Sequence, residues 1–404
     1  MDGAGERAVS AVLGAVLLFG FLAIAFSVYQ GVVVPNQNQA IEIAHNEQVQ
    51  GSLQELRNAV REAGLAGTQR SVSIELGAAY PPRAVAVNFG HSVGQLRSVP
   101  FGAITVHNVS ATDRETADYV GVTNTTLGPF ATQALVYRPS YTFYGTAPIT
   151  RLEHSVLYNQ FPNGVNRFIT NQGLIQGRQI TLVTLAGNLS AARSGTVTVD
   201  TVCLSPASDR VAFTNSGGPI TITFRSRLSV NTWTELLSDE YDPGGTASSR
   251  HVQAVSQPRP ELVSIVLEPG VTYELALAKV SLGPGSGTPE PRYLTALTGN
   301  NPSVPEGGTW QLVVEVRDRF NNPVSNVSVR AIIANSANGS DPAEAVAPGS
   351  RPTDIRGRAA FVYTAPTEVN HTQAAAIDLT IAGGSTPEEV VTVELSVLDL
   401  DGSG

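Results

Sequence analysis

Gly90-His91-Ser92-Val93-Gly94 has the G-x-S-x-G spacing of a serine nucleophile elbow and follows a strand-like run at residues 84–89. In that device the serine sits on a strained strand-to-helix turn and is activated by a histidine that an acid orients; Asp200 and His251 lie downstream. The context is wrong for it. Residues 95–100 are too few for the helix that must follow, Pro100 interrupts them, and no alternating strand–helix pattern surrounds the motif. The pentapeptide reads first as a glycine-rich hairpin loop, with a serine-hydrolase ectoenzyme acting through Ser92 as the minor alternative. The six histidines, His45, His91, His107, His154, His251 and His371, show no ligand spacing, so no zinc site is expected. Asp239-Glu240 with Asp242 ends at Gly244-Gly245 and reads as a solvated turn before it reads as a calcium loop. Asp399-Leu400-Asp401-Gly402-Ser403-Gly404 mimics half an EF-hand loop without its bidentate position, and reads as a frayed tail. Cys203 is the one cysteine, which excludes an intramolecular disulfide; its Val/Leu-rich surroundings suit a small buried hydrophobe. No catalytic residue, metal or cofactor is expected, and the chain is not read as an enzyme.

The elements around these residues follow from composition. The chain has 404 residues, 38 of them Gly and 25 Pro, and only 15% charged. With abundant Thr, Val and Ser, that is the signature of an all-β chain with many turns. The net charge of -9 argues against a broad nucleic-acid footprint. Lys279 is the single lysine among 25 basic residues, which excludes a phosphate-binding G-x-x-x-x-G-K and suggests a GC-rich genome. A salt-loving archaeal source stays open.

No charged residue stands between Arg7 and Glu42. Residues 11–28 are apolar apart from Ser27, and residues 32–34 extend the run. Such a helix is roughly 27–36 Å long, enough to cross a bilayer core. Residues 9–34 are therefore expected to form a membrane helix, with Val9, Leu13, Leu17, Phe21, Ile24 and Val28 among its apolar contacts. Arg7 precedes it and no Lys or Arg follows until Arg57, so residues 1–8 are expected in the cytoplasm and the rest outside. The sequons at Asn108, Asn124, Asn188, Asn326, Asn338 and Asn370 agree as N-glycosylation candidates. The run is longer than a secretory h-region and lacks a clear small-x-small site, so retention is expected.

Glu6-Arg7-Ala8-Val9-Ser10-Ala11-Val12-Leu13-Gly14 resembles the processing site of archaeal, especially haloarchaeal, type IV pilins, with Ala11 where that family has proline. The resemblance implies cleavage by a prepilin peptidase between Ala8 and Val9 and lateral packing of the helix in a filament core. The small residues Gly14, Ala15, Gly20, Ala23 and Ala25 would permit close approach, though such residues are common in any membrane helix.

Pro35-Asn36 is expected to break or kink this helix. Residues 37–64 then look helical again, and 35–67 reads as a helical stalk. Val49, Leu53, Leu56, Val60 and Ala63 recur at 4-3-4-3 spacing. That stripe either self-associates or packs on the chain's own β domain; two heptads are few for a coiled coil, which favours the second. From residue 68 strand-like runs recur at 71–76, 102–108, 134–138, 179–185, 196–204, 220–228, 262–267 and 272–282. Residues 232–237 fit either a helix or a strand. Residues 283–291 are a linker by composition, residues 292–398 suit one immunoglobulin-like sandwich, and 399–404 a tail.

That last region resembles the group-1 bacterial immunoglobulin-like domain of invasin and intimin adhesins. Residues 304–309 resemble its opening turn, residues 314–327 (Val-Glu-Val-Arg-Asp-Arg-Phe-Asn-Asn-Pro-Val-Ser-Asn-Val) its D-x-x-G-N-P-V strand–turn–strand, and Thr353-Asp354-Ile355-Arg356-Gly357-Arg358-Ala359 its T-D-x-x-G-x-A turn. Asn321 stands where the family has glycine, and asparagine tolerates positive φ. The resemblance implies a spacer or binding module. The expected fold is thus mainly β: an N-terminal transmembrane or pilin-like helix, a short helical stalk and two extracellular β-sandwich domains. The expected role is an archaeal cell-surface structural or adhesive protein, with a pilin-like filament subunit as one form. A monomeric membrane-tethered ligand-binding module is the alternative. Expected partners are membrane lipid, other copies of the chain, and cell-surface or glycan ligands.

Overall fold

The computed structural model describes residues 3–83, 90–121, 125–245, 249–283, 289–299, 301–339, 341–384, 386–400 and 402. The strand-like run at 84–89, the sequon Asn124, linker residues 284–288 and tail residues 401, 403 and 404 lie outside them. The chain is mainly β, led by one helix long and apolar enough to cross a membrane. Helix α1 (Gly3–Val28) runs through a π turn at Tyr29–Val33 into α2 (Val34–Ala66). Pro35-Asn36 therefore does not break the rod. In the wider turn the Val34 N–H reaches back to the Tyr29 carbonyl, and Pro35 falls in the first positions of the next α segment. There its missing N–H and its ring are tolerated.

The two halves of the rod behave oppositely. Every large apolar side chain from Val12 to Val28 is exposed, Leu17 at 66% and Phe21 at 69% among them. On α2, by contrast, Val49, Leu53, Leu56, Val60 and Ala63 are buried against Val72, Ile74, Val199 and Val280. The 4-3 stripe is consumed by the chain's own β body, so residues 35–67 are a wall of that body rather than a free stalk.

The first body holds two sheets. One orders Arg70–Glu75, Thr196–Ser205, Tyr273–Leu282, Arg210–Asn215 and Val109–Ala111, with Gln179–Ala186 parallel to Tyr273–Leu282. The other is built on the long antiparallel pair Val93–His107 and Thr126–Ser140, flanked by Thr221–Arg225 and Leu262–Leu267 on one side and by Ile149–Glu153 and Val156–Gln160 on the other. Alternation drives the layering: along Thr196–Ser205, Val197, Val199 and Thr201 point inward and their neighbours outward. Two short helices cap this body, α3 (Arg114–Val120) and α4 (Val230–Leu236). The segment at 232–237 is thus largely helical: Ser229 caps α4 by accepting the Thr232 N–H, and Trp233 is fully buried.

The second body is a β-sandwich of immunoglobulin-like build. Pro291–Ala296, Thr309–Asp318, Arg358–Thr364 and Ala345–Ala347 face Ser303–Pro305, Val390–Leu398, Gln373–Ile381, Ser328–Asn335 and Ser350–Pro352. Leu312, Val314, Phe361, Ile377 and Val393 fill the space between the sheets. Asn321 adopts φ 63°. Gly357 is at φ 72°, and a Cβ there would stand 2.8 Å from Pro323 Cβ and from the Val316 carbonyl. The two turns that resemble the adhesin motifs therefore cross each other, and only glycine fits the crossing.

Candidate functional site

The motif at residues 90–94 is not an elbow. Ser92 is buried, its hydroxyl accepts the Ala78 N–H at 2.7 Å, and the residues after it form the strand Val93–His107, not a helix. Asp200 accepts from Ser71 at 2.6 Å, and His251 pairs with Glu268 at 2.7 Å, so neither is joined to Ser92. Gly94 has a packing reason: a Cβ there would lie 2.0 Å from the Leu76 carbonyl oxygen. Gly94→Ala must push two backbones apart and is expected to cost about 3 kcal/mol. Urea unfolding checks this; an unchanged midpoint would show that the crossing is loose.

Among the described residues no group of three or more His, Cys, Asp or Glu is placed to hold a metal ion. Asp242 accepts the Gly244 N–H at 3.1 Å, a turn bond within the acidic loop. Asp399 accepts the Gly402 N–H at 2.7 Å. Cys203 is half-buried beside the first body's core, and burial raises its thiol pKa. Of the sequons, Asn188, Asn326 and Asn370 are exposed, whereas the Asn108 amide donates to the Pro219 carbonyl (2.9 Å) and the Asn338 amide to the Glu368 carbonyl (3.0 Å).

Two constellations escaped the sequence reading. The first fastens α2 to the body. Glu42 is fully buried, and its carboxylate accepts the backbone N–H groups of Thr142 (2.8 Å), Phe143 (2.8 Å) and Tyr144 (2.5 Å) together with the Tyr80 hydroxyl. His45 Nδ1 lies 2.6 Å from the Tyr141 hydroxyl, and burial lowers its pKa. Burial, then the bond to Glu42, raises the Tyr80 phenol. Further along, Arg57 donates to the Ser155 (2.8 Å) and Asn171 (3.0 Å) carbonyls. Such charge-assisted bonds are the strong kind. The available signal was register: Glu42 lies seven residues before Val49, on the same stripe.

The Glu153-His154 turn adjoins Ser155, whose carbonyl Arg57 grips. Glu153 is buried and accepts from Ser226 (2.6 Å) and Tyr158 (3.2 Å), while Trp233 donates to Ser226 (2.8 Å). His154 bonds the Arg225 carbonyl at 2.6 Å, and burial pushes its pKa down to about 4. A histidine held neutral in the fold lets the unfolded chain take the proton first. Its contribution is complete above pH 6.5 and is lost as pH falls toward 4, about 3 kcal/mol in all. Burial raises the Glu153 pKa, which acts in the opposite sense. His154→Asn, which tolerates the φ of 44° at this position, isolates the histidine share. Its loss of melting temperature between pH 7 and pH 4.5 is expected to be smaller than the parent's; an equal loss would contradict the assignment.

The second constellation locks the two bodies. The turn after Thr309–Asp318 enters the first body: Phe320 joins its core, 5.5 Å from Phe130, with the Lys279 ammonium 6.0 Å from its ring. Asn322 is buried and donates to Ser205 (2.7 Å) and to the Leu277 carbonyl (2.9 Å), while its oxygen accepts the Ser208 N–H (3.2 Å). Arg317 is buried between Glu315 (2.8 Å), Glu115 and Asp209 (3.7 Å). Burial alone would lower its pKa, but Tyr293 and the carboxylates of Glu315 and Glu115 outweigh burial and hold it above the ordinary value. The Tyr119 ring packs at a tilt against Tyr293, centroids 5.6 Å apart, and its hydroxyl donates to the Arg319 carbonyl at 3.0 Å. The linker at 283–291 thus does not leave the bodies independent.

No family model matches the chain. It is similar to an uncharacterized protein of Archaeoglobus fulgidus, 21% identical over 326 residues, covering 80% of this chain and 53% of the relative. The chain therefore spans about half the length of that relative. Among solved structures it is similar to the D0-D1 domain of intimin (13% identity, 72% of this chain, 97% of that one, TM-score 0.21). It is also similar to domains 4 and 5 of the S-layer protein SbsC (14% identity, 34% and 64% covered, TM-score 0.21). A third is a C-terminal intimin fragment in complex with the intimin-binding domain of its translocated receptor (14% identity, 27% and 33% covered, TM-score 0.20).

Proposed function

We propose that the chain is a cell-envelope protein whose α1 is held in a membrane and whose two locked β bodies stand outside as one stiff structural or adhesive element. One observation carries this reading: helix α1 is apolar and exposed all along residues 12–28, and it is fused without a break to a folded body. A chain free in water would hide so large an apolar surface. Arg7, before the helix, supports a cytoplasmic N-terminus. The body supplies what a surface element needs, a rigid sandwich scaffold.

The finer reading is a pilin-like filament subunit of archaeal origin, supported by the stretch from Glu6 to Gly14, with cleavage between Ala8 and Val9 and α1 packing on α1 of other copies. Membrane lipid, further copies and cell-surface or glycan ligands are its partners. Alkaline carbonate washing of envelopes tests the anchor. The full chain should stay with the membrane pellet, and protease applied to intact cells should remove the β bodies. Release by carbonate, or protected bodies, would contradict it. Electron microscopy of the sheared surface fraction separates the filament from the tethered monomer.

A further inference from the structure

The rod has no free spacer between its apolar half and the β body. Tyr29 and Gln30 are already half-covered, and Val34 is fully buried. Arg83 donates to Asn38 at 2.8 Å and to Gln37 at 3.3 Å, one turn beyond Val34. Pro81 and Pro82, both exposed, precede it. Counted from Ala11, where the apolar run opens, about 20 residues cross the hydrocarbon core and end near Gln30. Gln37 follows about 10 Å later, whereas the headgroup layer is roughly 5–8 Å deep. Side chains on a helix lean toward its N-terminus, which brings this contact down to the level of the lipid phosphates.

We propose that the exposed Pro81-Pro82 edge, with Tyr29, forms a phospholipid-headgroup contact that seats the β body directly on the bilayer. Arg83 holds that edge to the rod, its guanidinium turned onto Gln37 and Asn38 with Nη1 buried, and Tyr29 lies in the interfacial belt. This rests on the anchor reading. The occupant is a lipid surface rather than a second copy because α1 exposes apolar residues around its whole circumference. Val12, Leu13, Phe19, Phe21 and Ile24 do not share one stripe, and one partner helix would cover only a stripe.

The test uses the full chain with Cys203→Ser and single cysteines introduced as Leu18→Cys, Pro82→Cys or Ile355→Cys. Each is labelled with a nitroxide in phosphatidylcholine–phosphatidylglycerol vesicles. Collision with oxygen against a water-soluble nickel complex gives each label's depth. Ile355 is 92% exposed on the second body and serves as the aqueous reference. The expected result is hydrocarbon depth at position 18, water at 355 and the headgroup layer at 82. If 82 is as aqueous as 355 while 18 lies in hydrocarbon, the anchor stands and the seating falls. Dipolar broadening between labels at 82, without lipid depth, assigns the face to a second copy and also overturns it. An aqueous label at 18 sinks both. Pro81→Cys repeats the measurement should Pro82→Cys disturb the loop.

Discussion

Glu42→Leu is expected to cost about 3–5 kcal/mol, because it strands three backbone donors and the Tyr80 hydroxyl at a fully buried position. Water reaches the 142–144 segment, where Thr142 is exposed and Phe143 and Tyr144 are half-buried, so the loss should stay below the sum of four unmade bonds. Loosening starts locally. Hydrogen exchange at the amides of residues 142–144 should accelerate before the body's strands respond. Glu42→Gln keeps an acceptor of the same shape and should lose a third to a half as much. Unchanged protection in Glu42→Leu would mean that the apolar stripe alone holds the rod.

Arg317→Met is expected to separate the two bodies. It leaves Glu315, 2% exposed, with Arg358 as its remaining ion-pair partner at 2.9 Å, and it releases Glu115 and Asp209 from the seam. Breaking a buried ion pair by removing one member costs about 3–5 kcal/mol. Calorimetry should then resolve two transitions where the parent gives one. Asn322→Ala, which removes the bonds to Ser205 and Leu277, should move the protein in the same direction. A single transition in both variants would show that Phe320 alone fixes the seam.

Local signals in the sequence were sufficient wherever the deciding contacts were local. The apolar helix was legible because charge is absent from Arg7 to Glu42, and the two adhesin-like turns because Asn321 and Gly357 supply the positive φ that such turns demand. The strand Leu262–Leu267 was read at its observed limits, and Gln179–Ala186 and Tyr273–Leu282 within one residue. Pro35 misled because a proline's effect depends on the turn before it, and a π turn changes which carbonyl its missing N–H would have met. Glu42 marks in the sequence only the end of the charge-free stretch; the fold alone brings residues 142–144 within reach of it. The turn carrying Phe320 was recognised as a turn, but its burial depends on Phe130 and Lys279, distant in sequence. Gly94 mimicked a catalytic motif for a reason that spacing cannot carry, the passage of the Leu76 backbone.

The most direct test of membrane anchoring is the mass of the intact N-terminal peptide of the protein isolated from envelopes. Anchoring predicts a mature chain that keeps residues 12–28, beginning either at Val9, as prepilin-type processing requires, or upstream of it as an uncleaved anchor. A mature chain that begins beyond residue 34 would have lost α1 altogether, and that result would contradict both the anchor and the filament.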